Sequence, residues 1–266
     1  MNTLDKQVTF KGVGIHSGND VVMNVIPINN DGIFFEYNQE VIEVSPATIG
    51  VNHIRSTSLD NGVIKIHTPE HFLAACYALD LSNIMVQLSS QELPIMDGSS
   101  MSFIKQLQPH LIKNKDKRKD KLIISENNHF TMNDSHYFAM PADVLSISVF
   151  LSYPNHWIKS MSFSYKHTYS NFLDSIASAR TYGFTHEIDE LKKQGLAKGG
   201  SLENALVISD EGYVNEPRFK DELARHKILD FIGDMSICGK ELVGNFVLIK
   251  PSHICNCEFL KKLLVL

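Results

Sequence analysis

Two helical signals more than 150 residues apart constrain this chain more than any other feature of it. The first is Thr68-Pro69-Glu70-His71, and the second is Arg225-His226-Lys227-Ile228-Leu229-Asp230, continuing to Asp234. Threonine is a good N-cap and proline suits the first helical position, so the first signal predicts a helix starting at Thr68. Its apolar run, Phe72 to Leu79, supplies a core face. In the second signal His226 and Asp230 are four apart and leave the same helix face, with Asp234 one turn further on. A fold that brings these two helices together can close two imidazoles and a carboxylate around one cation, with Glu70 left free beside it.

Each half of that site also has an ordinary reading. His226 and Asp230 alone would pass for an ion pair on a helix surface, flanked as they are by Arg225 and Lys227. Glu70 is stabilised by the helix N-terminus whatever else it does. His71 has no such reason to be there, because a cation is disfavoured at that end and a neutral, metal-bound imidazole fits better. Three ligands, His71, His226 and Asp230, leave a fourth zinc position for water, as in catalytic rather than closed structural sites. Zinc lowers the pKa of bound water to about 7. Glu70, next to a ligand, is then the general base, a role typically worth ~10²–10⁴ in rate. His253, beyond a strand ending at Lys250, is the candidate to protonate a leaving group. His16, His53, His67, His110, His129, His136, His156, His167 and His186 lack a partner pattern and read as surface or core residues.

Composition narrows the class. With 43% hydrophobic residues in 266, the chain can bury a real core. A net charge of −5 argues against nonspecific nucleic-acid binding, which wants a basic face. The N-terminus carries no secretory pattern and no apolar run approaches the roughly 20 residues of a membrane span, so the expectation is a soluble, cytoplasmic protein without stable membrane insertion. Of the four cysteines, Cys76 and Cys238 fall in apolar helical patterns. Cys255 and Cys257 could suggest a soft-metal or redox site, but no second pair completes a tetrathiolate.

The segments read as α+β. Strands are expected at Gln7 to Lys11, Val21 to Pro27, Gly32 to Tyr37 and Ile84 to Leu88, with a glycine-rich turn at Gly12 to Gly18. That turn lacks the spacing and lysine of a phosphate loop. Pro94 to Gly98 is a turn before a short helix through Ser102 to Leu107. Lys113 to Lys121, a run of alternating charge without an apolar residue, reads as a solvated linker between domains at 1–112 and 122–266. Beyond it, strands are expected at Lys121 to Ser125, Tyr137 to Met140, Leu145 to Ser152, Met161 to Tyr165, Ala205 to Ser209 and Val243 to Lys250. Helices are expected at Ser170 to Ala177, His186 to Gln194 and Lys220 to Cys238, the last closed by Gly239. Asn256 reads as the cap of a last helix ending at Leu266. In each half a helix bearing a candidate ligand leads through a loop to an apolar strand, which predicts two related α+β domains facing one another with the metal between them.

These blocks together resemble the UDP-3-O-acyl-N-acetylglucosamine deacetylase family, the zinc amidases of lipid A biosynthesis in Gram-negative bacteria. The resemblance runs through nearly the whole chain. It is carried by Gly12 to Gly18, Thr68 to His71, Pro94 to Gly98, Ala179 to Phe184, Gly199 to Ala205, and Arg225 to Asp230 with Gly233-Asp234. It implies two two-layer α/β sandwich domains packed face to face, and one zinc per chain on His71, His226 and Asp230, with iron(II) the alternative metal in the cell. Glu70 would be the general base, His253 the general acid or positive stabiliser oriented by Asp234, and Thr181 an oxyanion stabiliser. Lys227 and Tyr182 would contact a small-molecule substrate, an acylated UDP-amino sugar, and residues 185–219 would form a tunnel for its acyl chain. The family implies a monomer. One departure is Ser252, where the family usually has glycine before the histidine. Competing readings are a paralogue acting on another acylated amino sugar, a zinc hydrolase of another amide, and a non-catalytic binding protein that keeps the fold.

Overall fold

Alternating side chains build a first sheet in the computed structural model, which describes residues 1–50, 55–114, 119–153 and 157–265. After the short β1 (Asn2–Leu4), β2 (Val8–Val13) buries Val8 and Phe10 and exposes Thr9 and Lys11. β3 (Asp20–Pro27) buries Val21, Met23 and Val25 in the same period. β4 (Ile33–Tyr37) and β5 (Glu40–Glu43) make a second hairpin. A separate ribbon, β6 (Ser58–Asp60) and β7 (Lys65–His67), feeds helix α1 (Glu70–Ala78), and β8 (Ile84–Leu88) follows. β8 enters between the hairpins, antiparallel to β3 and parallel to β4, so the sheet order is β2-β3-β8-β4-β5. Helix α2 (Met101–Leu107) packs beside α1, and Phe72 sets its ring 6.2 Å from Phe35 of the sheet and 5.5 Å from Phe103 of α2.

The second half repeats this plan. β9 (Leu111–Lys113) pairs back with β1, and β10 (Lys121–Ile123) opens the new half. The hairpins are β11 (Asn128–Met132) with β12 (Ser135–Met140), and β13 (Ser146–Tyr153) with β14 (Lys159–Lys166). Helix α3 (Tyr169–Ser175) follows, capped by Thr168 accepting from Asn171 N. Then come β15 (Tyr182–Phe184), α4 (Thr185–Lys193) and β16 (Leu206–Ile208). The long α5 (Glu222–Met235) leads through β17 (Glu241–Val243) to β18 (Asn245–Ile249) and the last helix, α6 (His253–Val265). β18 inserts antiparallel to β12 and parallel to β13, giving β11-β12-β18-β13-β14. Order and strand sense match the first sheet position for position, so the internal repeat expected from the helix-loop-strand pattern is present in the topology.

The helical layers of the two halves face each other, with α1 against α5. Every residue of α1 is buried, because one face meets its own sheet and the other meets α5. The contact is backbone to backbone at Gly233: a Cβ there would stand 2.1 Å from the Glu70 carbonyl oxygen. Gly233→Ala must therefore push the helices apart. We expect a loss of about 1–3 kcal/mol of stability from overpacking, together with weaker metal binding, read by thermal unfolding and metal titration. An unchanged melting temperature would contradict this close approach.

Several expectations are corrected. Thr68 does not cap α1. Its φ is +56° and its hydroxyl donates to the His67 carbonyl at 2.7 Å, because it turns the chain out of β7, and Pro69 takes the cap position. Asn256 lies inside α6 rather than at its start, and Ser252 precedes the helix with its hydroxyl accepting from Cys255 N at 3.4 Å. The expected strand over Val243 to Lys250 is two strands, since the chain changes partner at Gly244: β17 pairs with β10 and β18 joins the sheet. The expected strands leave out β1, β5, β6, β7, β9, β11 and β15, which are short or half exposed without a clean period. Gly239 does close the long helical stretch, at φ +70°. Of the expected linker, residues 115–118 lie outside the described residues, as do His53 and His156.

Candidate metal centre and its cleft

The α1–α5 contact places the first turn of one helix against the middle of the other. There the side chains of His71, His226 and Asp230, all buried, offer ligand atoms within 4.8 Å of one another. His71 Nε2 is 3.5 Å and His226 Nε2 3.1 Å from Asp230 Oδ1, and the two imidazoles meet edge to face. Their protonation follows from what lies behind them. His226 Nδ1 is 3.1 Å from the Ala179 carbonyl, which can only accept, so the proton sits on Nδ1 and the Nε2 lone pair points at Asp230. Asp230 Oδ1 is buried and has no hydrogen-bond donor among the described residues. Two acceptors facing each other at that distance repel unless a cation lies between them. The orphaned oxygen and the opposing lone pair are thus the signature of a metal-binding set, and the residues present fit such an ion.

The other oxygen of Asp230 is spoken for. Lys227 Nζ donates to Oδ2 at 3.0 Å and His253 Nε2 is 3.6 Å away. Burial opposes ionisation of Asp230, but the positive groups around it, Lys227 and His253 among them, outweigh it and hold the carboxyl well below its ordinary range. Burial pushes the His71 imidazole down, which keeps it neutral and able to ligate.

Glu70 sits beside this set, 3% exposed, with Oε1 4.0 Å from His253 Nε2 and Oε2 accepting from Thr57 N at 3.2 Å. Burial pushes its carboxyl up to about 8, against the pull of His253 and with the repulsion of Asp234 and Asp230. His253 is the converse case. Burial disfavours its charge, yet the carboxylates of Asp234, Asp230 and Glu70 win and raise it to about 9. Its Nδ1 donates to Asp234 Oδ2 at 2.9 Å, leaving Nε2 towards the cleft. Ser252, the departure noted in the sequence, sends its hydroxyl to the start of α6 rather than to the ring.

Glu70, His71, His226, Asp230 and His253 line a cavity of about 990 Å³ that also takes in Thr181, Tyr182, Lys227 and His16. Thr181 is held there through its backbone, its N–H donating to the Gly98 carbonyl at 2.8 Å, while its hydroxyl has no partner among the described residues. Gly98, at φ +82°, lies so close to the Asn204 carbonyl that a Cβ would stand 2.0 Å from it, which accounts for glycine in that block. Lys227 Nζ lies 5.5 Å from the Tyr182 ring centroid, and the Tyr182 and Tyr153 hydroxyls are hydrogen-bonded at 3.0 Å. The same cavity is also lined by apolar side chains of β15, α4 and β16 and the residues beside them, Phe184, Ile188, Leu191, Ala205 and Val207. Arg55 borders it as well and pairs with Glu187 of α4 at 3.0 Å.

The structure thus brings together His71, His226, Asp230, Glu70, Asp234, His253, Thr181, Tyr182 and Lys227, the full set proposed from sequence. It adds residues that the sequence did not assign to the site. Glu92 accepts from His16 N and Ser17 N, both at 2.8 Å, and so pins the glycine-rich turn; His16, read from sequence as a bystander, borders the cavity. Arg180 and Glu222 form a buried ion pair at 2.9 Å behind Thr181. Thr57 and Asn256 both bond Asp234. Only the glycines of the turn and the helical placement of Glu222 carried any local signal for these.

Comparisons with known proteins agree in direction. The family model described as UDP-3-O-acyl N-acetylglycosamine deacetylase matches residues 1–265. A protein of Thermodesulfovibrio yellowstonii named UDP-3-O-acyl-N-acetylglucosamine deacetylase is 36% identical over 98% of this chain and 91% of its own length. Proteins of the same name from Sulfurimonas denitrificans and Geobacter sp. strain M21 are 35% and 34% identical over 98% of this chain, and over 90% and 88% of their own lengths.

Proposed function

The chain belongs to the UDP-3-O-acyl N-acetylglycosamine deacetylase family, and on that premise we propose that it hydrolyses the N-acetyl group of UDP-3-O-acyl-N-acetylglucosamine. The products are acetate and UDP-3-O-acyl-glucosamine, a step of lipid A biosynthesis. The observation that carries the reading is the orphaned Asp230 oxygen between two imidazoles, with the buried Glu70 carboxylate, outside the ligand set, at its side and apolar side chains in the same cavity.

The resident metal in this reading is zinc, one per chain, on His71, His226 and Asp230. The ligand atoms, 3.1 and 3.5 Å apart, stand close enough together for one such ion to be held by all three residues. Zinc bound there supplies an acidified water and polarises the amide carbonyl. The chain's own groups do the rest. Glu70 takes the proton of the attacking water. The free Thr181 hydroxyl and the positive His253 face the charge that develops on the carbonyl oxygen. His253, held protonated through Nδ1 by Asp234, gives its Nε2 proton to the departing amine, or Glu70 returns the one it took. Lys227 and Tyr182 bound the part of the cavity that takes the sugar, and the apolar lining from residues 185–219 takes the acyl chain.

The division of the chain near residues 113–121 is part of the same proposal, since β1 pairs with β9 before it and β10 with β17 after it. So is a cytoplasmic monomer; no described helix is long and apolar enough to cross a membrane. The test is acetate release from the acylated UDP-sugar, followed by mass spectrometry. Release is expected to stop on chelation and to return with zinc. Full release from demetallated protein would overturn the reading.

A further inference from the structure

Asp234 is fully buried, and each of its oxygens is committed. Oδ2 accepts from His253 Nδ1 at 2.9 Å and from Asn256 Nδ2 at 2.7 Å. Oδ1 accepts from the Thr57 hydroxyl at 2.5 Å. Asn256 is fixed in turn, its Oδ1 accepting from the Tyr137 hydroxyl at 2.7 Å, and the same hydroxyl accepts from Ser252 N at 3.1 Å. Asn256 and Tyr137 therefore belong to the same half of the molecule as His253. Thr57 does not: it sits beside β6 of the first half and reaches across the interface. Its backbone N–H also donates to Glu70 Oε2 at 3.2 Å. One residue thus bonds both the carboxylate proposed as the base and the carboxylate that orients the proposed acid.

We propose that Thr57 is a positioning residue, whose hydroxyl and amide register Glu70 and the Asp234–His253 pair against each other across the domain interface. The inference rests on the deacetylase reading for its kinetic consequence, though not for its geometry. The argument is one of degrees of freedom. Glu70 rides on α1 and His253 on α6, and no hydrogen bond is recorded between their side chains, which stand 4.0 Å apart. Their separation is set by the packing of two domains unless something ties both. Thr57 contacts neither the ligand atoms of the metal set nor the open cavity, so it can act only through the groups it holds. Loss of an outer hydrogen-bond partner at such sites typically costs ~10–100-fold in activity or metal affinity.

The test uses Thr57→Val, which keeps the shape and removes the hydroxyl, and Thr57→Ser, which keeps the hydroxyl. Thr57→Val is expected to lower kcat about 10–100-fold with KM and bound metal unchanged, and Thr57→Ser to recover within a few-fold of the parent. The second readout needs no substrate. The low-field proton resonance of His253 Nδ1–H, assigned by its loss in His253→Gln, is expected to shift or broaden in Thr57→Val and to return in Thr57→Ser. An unshifted resonance in Thr57→Val overturns the inference, as does a serine variant as impaired as the valine one. If the parent protein releases no acetate, the deacetylase reading fails by itself, and the resonance still decides for or against Thr57.

Discussion

Glu70→Gln is expected to lower acetate release by about 10²–10⁴-fold while the protein keeps its full complement of metal. The substitution is nearly isosteric. The amide can still accept from Thr57 N through its oxygen, so the local fold is retained, yet it cannot take a proton at neutral pH. Metal retention follows because Glu70 is outside the set of converging ligand atoms. Burial pushes its carboxyl up to about 8, and a positive metal held beside it would favour the ionised, basic form. Metal analysis and turnover on the same sample decide the matter. Near-normal turnover would remove Glu70 from proton transfer, whereas lost metal would make it a ligand rather than a base.

Asp230→Asn should be damaging in a different way, abolishing turnover by emptying the site. The charge on Oδ1 that draws the cation disappears, and affinity should fall by more than the roughly 10–100-fold typical of losing an outer partner. The fold suffers as well. The half-buried Lys227 and the buried His253 both pair with this buried carboxylate, and breaking a buried ion pair from one side costs about 3–5 kcal/mol. The sign of the pH effect is fixed by the direction of the shift. Asp230 is held well below its usual range, so its stabilisation is complete above the unfolded value of about 3.9. It is lost only as pH falls through the lower folded value. The variant should therefore melt earlier than the parent at pH 7, with the gap narrowing in acid. Stoichiometric metal in purified Asp230→Asn protein would show that the imidazoles suffice.

The helical halves of this site were legible because they obey local rules. His226 and Asp230 are four apart on α5, so periodicity alone assigns them to one face of one helix, and Glu70 and His71 both stand in the first turn of α1. The paired helix-loop-strand pattern likewise anticipated two similar sheets, since β8 and β18 are apolar runs that follow buried helices. Where local signals competed, reading failed. Thr68-Pro69 has the letters of a cap, but the chain needs Thr68 at positive φ to leave β7, and Asn256 has the letters of a cap but is spent on Asp234 and Tyr137.

What the sequence by itself determined is the inventory: which side chains can ligate, which can move a proton, and which helix face carries them. What only the tertiary structure decided is their mutual address. That Thr57 bonds Asp234, that the Ala179 carbonyl turns the His226 lone pair inward, and that Gly233 lets α5 lie against the start of α1 are contacts between distant segments. Helix and strand periods report only which way a side chain leaves its own backbone. The partner it meets depends on how two sheets and their helices close on one another.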